Sequence, residues 1–259
     1  MSKEEWINKY WRLLFPYANE SIDAVVQGMD INEEEEVIAI CGSGDVVFGM
    51  LEKARSVVGV DINPLQVDYA LERKVLLKEG YLENFLNIGK VSHARDTVRM
   101  KQSIDYFSQP GRIERIRGNL ERLTIKQGDI LKRIDDAAKA GKRFTKAYLS
   151  NILTWNFVPL ARDPELAAKE REEAQKYGEK YATRVIELLD RPAIIYVAIG
   201  CSVIGLNLDA YKDIFCRDIK LTEIAKEKER NWEPLVYRRA DNDVVKLKDK
   251  LPLALEASQ

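Results

Sequence analysis

Five apolar residues, Val37-Ile38-Ala39-Ile40-Cys41, run directly into Gly42-Ser43-Gly44-Asp45. A short unbroken apolar run marks a strand buried on both faces, and such strands belong to parallel sheets covered by helices on either side. The glycines end the strand and allow a tight turn. Val46 to Lys53 then has a helical pattern, with Asp45 placed to cap it. Ser56-Val57-Val58-Gly59-Val60-Asp61 repeats the apolar run, and Pro64 opens a helix that Gln66, Tyr69, Leu71, Leu76 and Leu77 carry to about Leu86. Strand, glycine loop, helix, strand and helix in that order make half of a doubly wound α/β sheet.

The rest of the chain continues the alternation. Leu123 to Gln127 is a third strand, followed after Gly128-Asp129 by a helix to about Ala140. Phe144 to Leu149 is a fourth strand, ending in Ser150-Asn151. Residues 164–189 form a long helix, Ala193 to Ile199 a fifth strand, residues 220–229 a helix and Pro234 to Arg238 a late strand. Residues 4–28 read as one or two helices broken near Pro16, their aromatic residues stapled onto the core or lining a substrate mouth. The expected architecture is a doubly wound, mostly parallel sheet. A helical segment (1–30) precedes a sheet domain (31–259), which carries a helical insertion at about 90–118.

Asp61 lies 19 residues beyond Gly42, at the second strand's end, where a carboxylate can accept both hydroxyls of a ribose. Asp129, at the next strand's end, is placed for an adenine amino group. The helix opening at the glycine loop offers free N–H groups to an anionic group. A dinucleotide fingerprint would place a third glycine at position 47, which is Val47. S-Adenosylmethionine needs only the first two glycines and the two acids. The residues expected to bind it are therefore Cys41, Gly42, Ser43, Gly44, Asp61, Ile62, Asn63, Gln66, Gly128, Asp129, Ile130, Ser150, Asn151 and Trp155. A methyltransferase, and a non-catalytic adenosyl- or RNA-binding protein, fit the same features.

The strand Val37 to Gly44, the segment Val58-Gly59-Val60-Asp61-Ile62-Asn63-Pro64-Leu65-Gln66, the helix Leu71-Glu72-Arg73-Lys74 and the motif Leu149 to Trp155 together carry a resemblance. They resemble the S-adenosylmethionine:diacylglycerol 3-amino-3-carboxypropyl transferases of betaine-lipid synthesis, over roughly residues 18–90 and 120–205. The glycine loop alone also looks like that of nicotianamine synthases. The resemblance implies a class I methyltransferase-like fold and transfer of the 3-amino-3-carboxypropyl group to a small-molecule or lipid acceptor, releasing methylthioadenosine. Where that family carries His and Asp in the fourth-strand motif, this chain has Asn151 and Thr154. Methyl transfer, releasing adenosylhomocysteine, is the alternative. The two differ in which carbon the acceptor faces.

Asp61 and Asp129 are 68 residues apart, about twice what a strand–helix–strand unit needs. The surplus, residues 90–118, carries Lys90, Arg95, Arg99, Lys101, Arg112, Arg115 and Arg117 against three acids, an excess of four positive charges. It reads either as a solvated face with ion pairs or as a cap that draws an anionic acceptor. His93, the only histidine, is the candidate general base, with Tyr81, Tyr106 and Asn151 as further catalytic candidates.

A formal net charge of −1 speaks against DNA or RNA as the main partner. Cys41, Cys201 and Cys216 are odd in number and widely spaced, so neither a zinc ribbon nor a disulfide framework is expected, and a lone histidine gives no metal site. Met1 to Tyr10 lacks the apolar core of a signal peptide, and no run of about 18 apolar residues occurs. The expectation is a cytoplasmic protein, peripheral to a membrane if its acceptor is a lipid.

Overall fold

A computed structural model describes residues 15–87, 94–155, 164–199, 214–229 and 231–240. In chain order its elements are α1 (Ile22–Gly28), β1 (Glu36–Ile40), α2 (Asp45–Leu51), β2 (Ser56–Asp61), α3 (Pro64–Glu79), α4 (Leu82–Asn87), α5 (Ala94–Phe107), α6 (Arg112–Gly118), β3 (Leu123–Gln127), α7 (Ile130–Lys139), β4 (Lys146–Ser150), α8 (Ile152–Trp155), α9 (Pro164–Leu188), β5 (Ile194–Ile199), β6 (Phe215–Arg217), α10 (Ile219–Lys228) and β7 (Glu233–Arg239). The strands form one sheet in the order β3-β2-β1-β4-β5-β7-β6. β1 to β5 pair in parallel, and β7 runs antiparallel to both β5 and β6. The expected doubly wound, mostly parallel sheet is the one observed.

Alternation along the strands splits the interior into two apolar layers. Val37, Ala39, Val57, Tyr148 and Tyr196 face α1, α2, the helices after β2 and α10. Ile38, Val60, Leu149, Ile195 and Val197 face α7 and α9. Residues Ile22, Val25, Val26 and Met29 of the expected N-terminal segment lie in the first layer. Residues 1–14, including the aromatic Trp6 and Trp11, fall outside the described residues.

Three details differ from the sequence reading. The helix expected to run from Pro64 to Leu86 is two, because Gly80 ends α3 in the left-handed conformation (φ +86°). The short β6 carries too little pattern to be legible. Asp45 does not cap α2: the cap residue is Gly44, and the Asp45 side chain is fully buried elsewhere.

The insertion is built into the core rather than laid over the strand ends. Phe85, Tyr106, Phe107, Ile113 and Ile116 belong to the first apolar layer. Arg112 and Arg115 converge on the half-buried end of α2, where the Glu52 carboxylate lies 2.9 and 2.7 Å from them, and Arg112 stacks on Tyr106 with its guanidinium 3.9 Å from the ring centre. Arg117 donates to the Lys78 carbonyl. These three arginines are thus occupied in holding the insertion against α2 and α3, and the argument from them to an anionic acceptor falls away. Lys90 and the Arg95 side chain lie outside the described residues.

Candidate functional site

The C-terminal ends of β1, β2 and β4 meet at one crevice, the usual ligand position in an open α/β sheet. A cavity of about 70 Å³ there is lined by residues of three groups: the β1 end and glycine loop (Ile40, Cys41, Gly42, Ser43, Val46), Asp61 of β2, and Tyr148, Ser150 and Asn151 of β4. Its remaining wall is Phe15, Tyr17, Ala18, Asn19 and Glu20, from the stretch whose aromatic residues the sequence places either on the core or at a substrate mouth.

The loop is shaped from both sides. Gly42 has φ +50°, and a side chain there would meet nothing within 4 Å, so its backbone faces open space. Gly44 has φ +90°, and a Cβ would come within 2.8 Å of Phe48. One glycine keeps the approach clear and the other lets α2 pack. Beneath the loop, Asp45 accepts from the Ala18 N–H (2.8 Å), from Arg73 (2.6 Å) and from the Ser103 hydroxyl (3.1 Å). Arg73, also fully buried, donates to the Ser43 carbonyl at 2.9 Å and packs against the Phe85 ring. The pair locks α2, α3, α5 and the Phe15–Glu20 segment together. Arg73 belongs to the Leu71-Glu72-Arg73-Lys74 run noted in the sequence. A helix position so fully buried could not be told from its exposed neighbours by spacing alone. Asp45 in the first turn of α2 and Ser43 Oγ, which accepts the Asp45 N–H at 3.3 Å, occupy part of that helix end.

Asp61 is buried beside the loop. It accepts the Gly42 N–H at 2.8 Å and the Asn63 N–H at 3.0 Å, one on each oxygen. Burial raises its pKa, and those two N–H donors hold part of the rise back. Each oxygen keeps a lone pair for a further donor. Burial likewise pushes the Cys41 thiol up, making it a neutral wall rather than a nucleophile.

Several expected ligand residues have other work. Asn63 caps α3 by accepting the Leu65 N–H. The Gln66 amide clamps Phe15, accepting its N–H at 3.1 Å and donating to its carbonyl at 3.0 Å. Ile130 is buried in the second apolar layer, away from the crevice. Gly128 donates its N–H to the Asp61 carbonyl, and Asp129 is exposed, capping α7 through the Lys132 N–H. Ile62 is 44% exposed at the β2 end.

Of the catalytic candidates, Asn151 alone borders the cavity. Tyr81 is 61% exposed and follows α3, whose sixteen residues span about 24 Å. Lys74, on the way there, already reaches the Leu123 carbonyl at the start of β3. Tyr81 therefore sits at the opposite end of the sheet and cannot touch a ligand at the loop. Tyr106 is buried against Gly49 and Glu52. His93 and the Trp155 side chain lie outside the described residues.

Glu20, unremarked in the sequence, is the chemically distinctive group. It is 3% exposed. It accepts from Ser150 Oγ at 2.5 Å, and Tyr148 lines the same cavity beside it. Ser150 has φ +50° where the β4–β5 register shifts, a strained conformation that turns its hydroxyl toward Glu20. Burial raises the Glu20 pKa against the opposing pull of the Ser150 hydroxyl. Set among Asn19, Ser21 and Asp23, it looked in the sequence like an ordinary polar residue. Its partner Ser150 is 130 positions away, which spacing could not reveal.

The sheet order, with β7 alone antiparallel, is that of the class I methyltransferase-like fold. No protein-family model matches the chain, and no curated protein matches its sequence. Solved structures resemble it in shape. Magnesium protoporphyrin IX methyltransferase of Synechocystis PCC 6803, with bound S-adenosylmethionine, is 14% identical at a TM-score of 0.44, over 85% of this chain and 78% of that one. An rRNA methylase of Streptococcus thermophilus is 8% identical at 0.39, over 83% and 93%. Precorrin 8w decarboxylase of Methanobacterium thermoautotrophicum is 10% identical at 0.38, over 83% and 87%. What the crevice binds is read from its own residues.

Proposed function

We propose that this chain is an S-adenosylmethionine-dependent transferase, of the methyl-transferring kind. The observation that carries the reading is the open Gly42 backbone fastened to the Asp61 carboxylate at the meeting of β1 and β2. Asp61 has free acceptor capacity for ribose hydroxyls, and the loop leaves room above it. The exposed Ile62 and Asp129 would flank an adenine outside the small cavity, whose size suits the amino-acid end of the ligand. When bound, S-adenosylmethionine supplies a sulfonium whose attached carbons are open to nucleophilic attack. The chain's part is to hold the adenosyl end on Asp61 and to wall the reacting end with Ser150, Asn151 and Glu20. These stand across β1 from Asp61 in the sheet order.

Aminocarboxypropyl transfer to a small-molecule or lipid acceptor is the second reading, favoured by the motif from Asp61 to Gln66. Asn63 and Gln66 in that motif serve the architecture, so they do not bear on which carbon is attacked. The sheet order is common to both readings; the methyl reading is favoured by Asn151 and Thr154, which stand where the resembled transferases carry His and Asp. S-Adenosylmethionine labelled separately in its methyl and aminobutyrate carbons, incubated with cell extract, decides between them. Adenosylhomocysteine as co-product is expected; methylthioadenosine would establish the second reading. Asp61→Ala is expected to weaken adenosylhomocysteine binding about tenfold or more, the scale of hydrogen bonds to a charged group. Unchanged calorimetric affinity would remove the whole assignment.

A further inference from the structure

The Glu20 carboxylate presents an unresolved charge. Among the described residues it is paired with no lysine or arginine, and the further charge felt there is another acid, Glu229. A buried carboxylate with one hydroxyl donor and no counter-charge is costly to keep. Beside it, Asn19 is 8% exposed and lines the same cavity, and its Oδ1 meets no hydrogen-bond partner among the described residues. Both residues line one small cavity, one a carboxylate with remaining lone pairs and the other an amide whose buried oxygen has both. An anion would be repelled there, and an apolar group would leave Asn19 unsatisfied. A group carrying several N–H donors and positive charge answers both.

We propose that Glu20 and Asn19 form a subsite for a primary amine, bound as its ammonium. The identity of that amine rests on the transferase reading above, which brings two: the α-ammonium of S-adenosylmethionine and an amine on the acceptor. Both chemistries fit a cavity of about 70 Å³ at the β4 end of the crevice. The Ser150 hydroxyl orients the carboxylate. The Gln66 clamp on Phe15 and the Asp45 hydrogen bond to Ala18 hold the wall in place.

The experiment uses the full chain, its Glu20→Gln variant and, as a second variant, Asn19→Ala. Thermal unfolding is followed with n-butylammonium chloride against equal sodium chloride, and calorimetry with adenosylhomocysteine and methylthioadenosine, which lacks the amino-acid tail. Butylammonium is expected to raise the Tm of the parent and not that of Glu20→Gln, with Asn19→Ala between. If the amine is the cofactor's own, Glu20→Gln weakens adenosylhomocysteine tenfold or more, leaves methylthioadenosine unchanged, and saturating adenosylhomocysteine abolishes the butylammonium effect. If it is the acceptor's, both nucleosides bind the variant as they bind the parent, and the butylammonium effect persists on top of adenosylhomocysteine. Equal butylammonium response in parent and Glu20→Gln, together with equal affinities, overturns the subsite. A parent that responds to butylammonium through Glu20 but binds neither nucleoside keeps the subsite and overturns the transferase reading.

Discussion

Glu20 illustrates how a side chain can serve a ligand at the fold's expense. Its folded pKa stands above its ordinary value of 4.5. Between those two values the folded state holds a proton that the unfolded state has released. Stability therefore falls as pH rises through that window, and the full cost is present above it. Glu20→Gln removes the cost while keeping an acceptor for Ser150. It is expected to be more stable than the parent at neutral pH, on the order of 1 kcal/mol, with the difference vanishing below about pH 4.5. Denaturant melts across pH check this, and a constant difference would mean that the carboxylate carries no such penalty. The two loop glycines should part in the same way. Gly44→Ala drives a Cβ to 2.8 Å from Phe48 and is expected to lose several kcal/mol of stability. Gly42→Ala has open space, so it is expected to cost about 1 kcal/mol for its positive φ and to act mainly on adenosylhomocysteine affinity.

The insertion and the Phe15–Glu20 wall hang on different polar residues, and each can be loosened separately. Glu52→Gln frees Arg112 and Arg115 from the end of α2. It is expected to lower stability by about 1–3 kcal/mol, the range for hydrogen bonds to charged groups, without changing adenosylhomocysteine affinity; a loss of affinity at unchanged stability would return the insertion to the ligand site. Gln66→Ala removes both bonds to Phe15, so faster amide exchange is expected over residues 15–20, with little change in the strands. What the sequence disclosed divides along the same line. The strands at 36–40, 56–61 and 123–127, and the Gly42–Asp61 relation, were legible because they depend on local apolar runs and a short separation. The wall was not, because Gln66 and Asp45 reach it across 51 and 27 positions and look like ordinary surface polar residues in a helix pattern. The insertion's arginines were misread for the reverse reason. Their clustering in sequence is plain, but their shared partner, Glu52, lies some 60 residues earlier.

The molecule as a whole is tied across the sheet by buried polar residues at both ends of its strands. Opposite the crevice, Lys146 is buried at the start of β4, donating to the Met29 and Asp30 carbonyls and lying 3.2 Å from Glu35. Lys146→Met leaves Glu35 a buried acid without its counter-charge and is expected to cost about 3–5 kcal/mol, as read by chemical unfolding; adding Glu35→Leu should recover much of that loss. At the crevice end the ties are longer. The Ser21 N–H donates to Glu229 across 208 positions, and Trp232 donates to the Asn19 carbonyl across 213. The wall that presents Asn19 and Glu20 is therefore pinned by residues translated more than 200 positions later. The two halves of the crevice thus differ in reach: the Gly42–Asp61 tie is complete within the first 61 residues, whereas the wall that presents Asn19 and Glu20 is fully fastened only by residues 229 and 232.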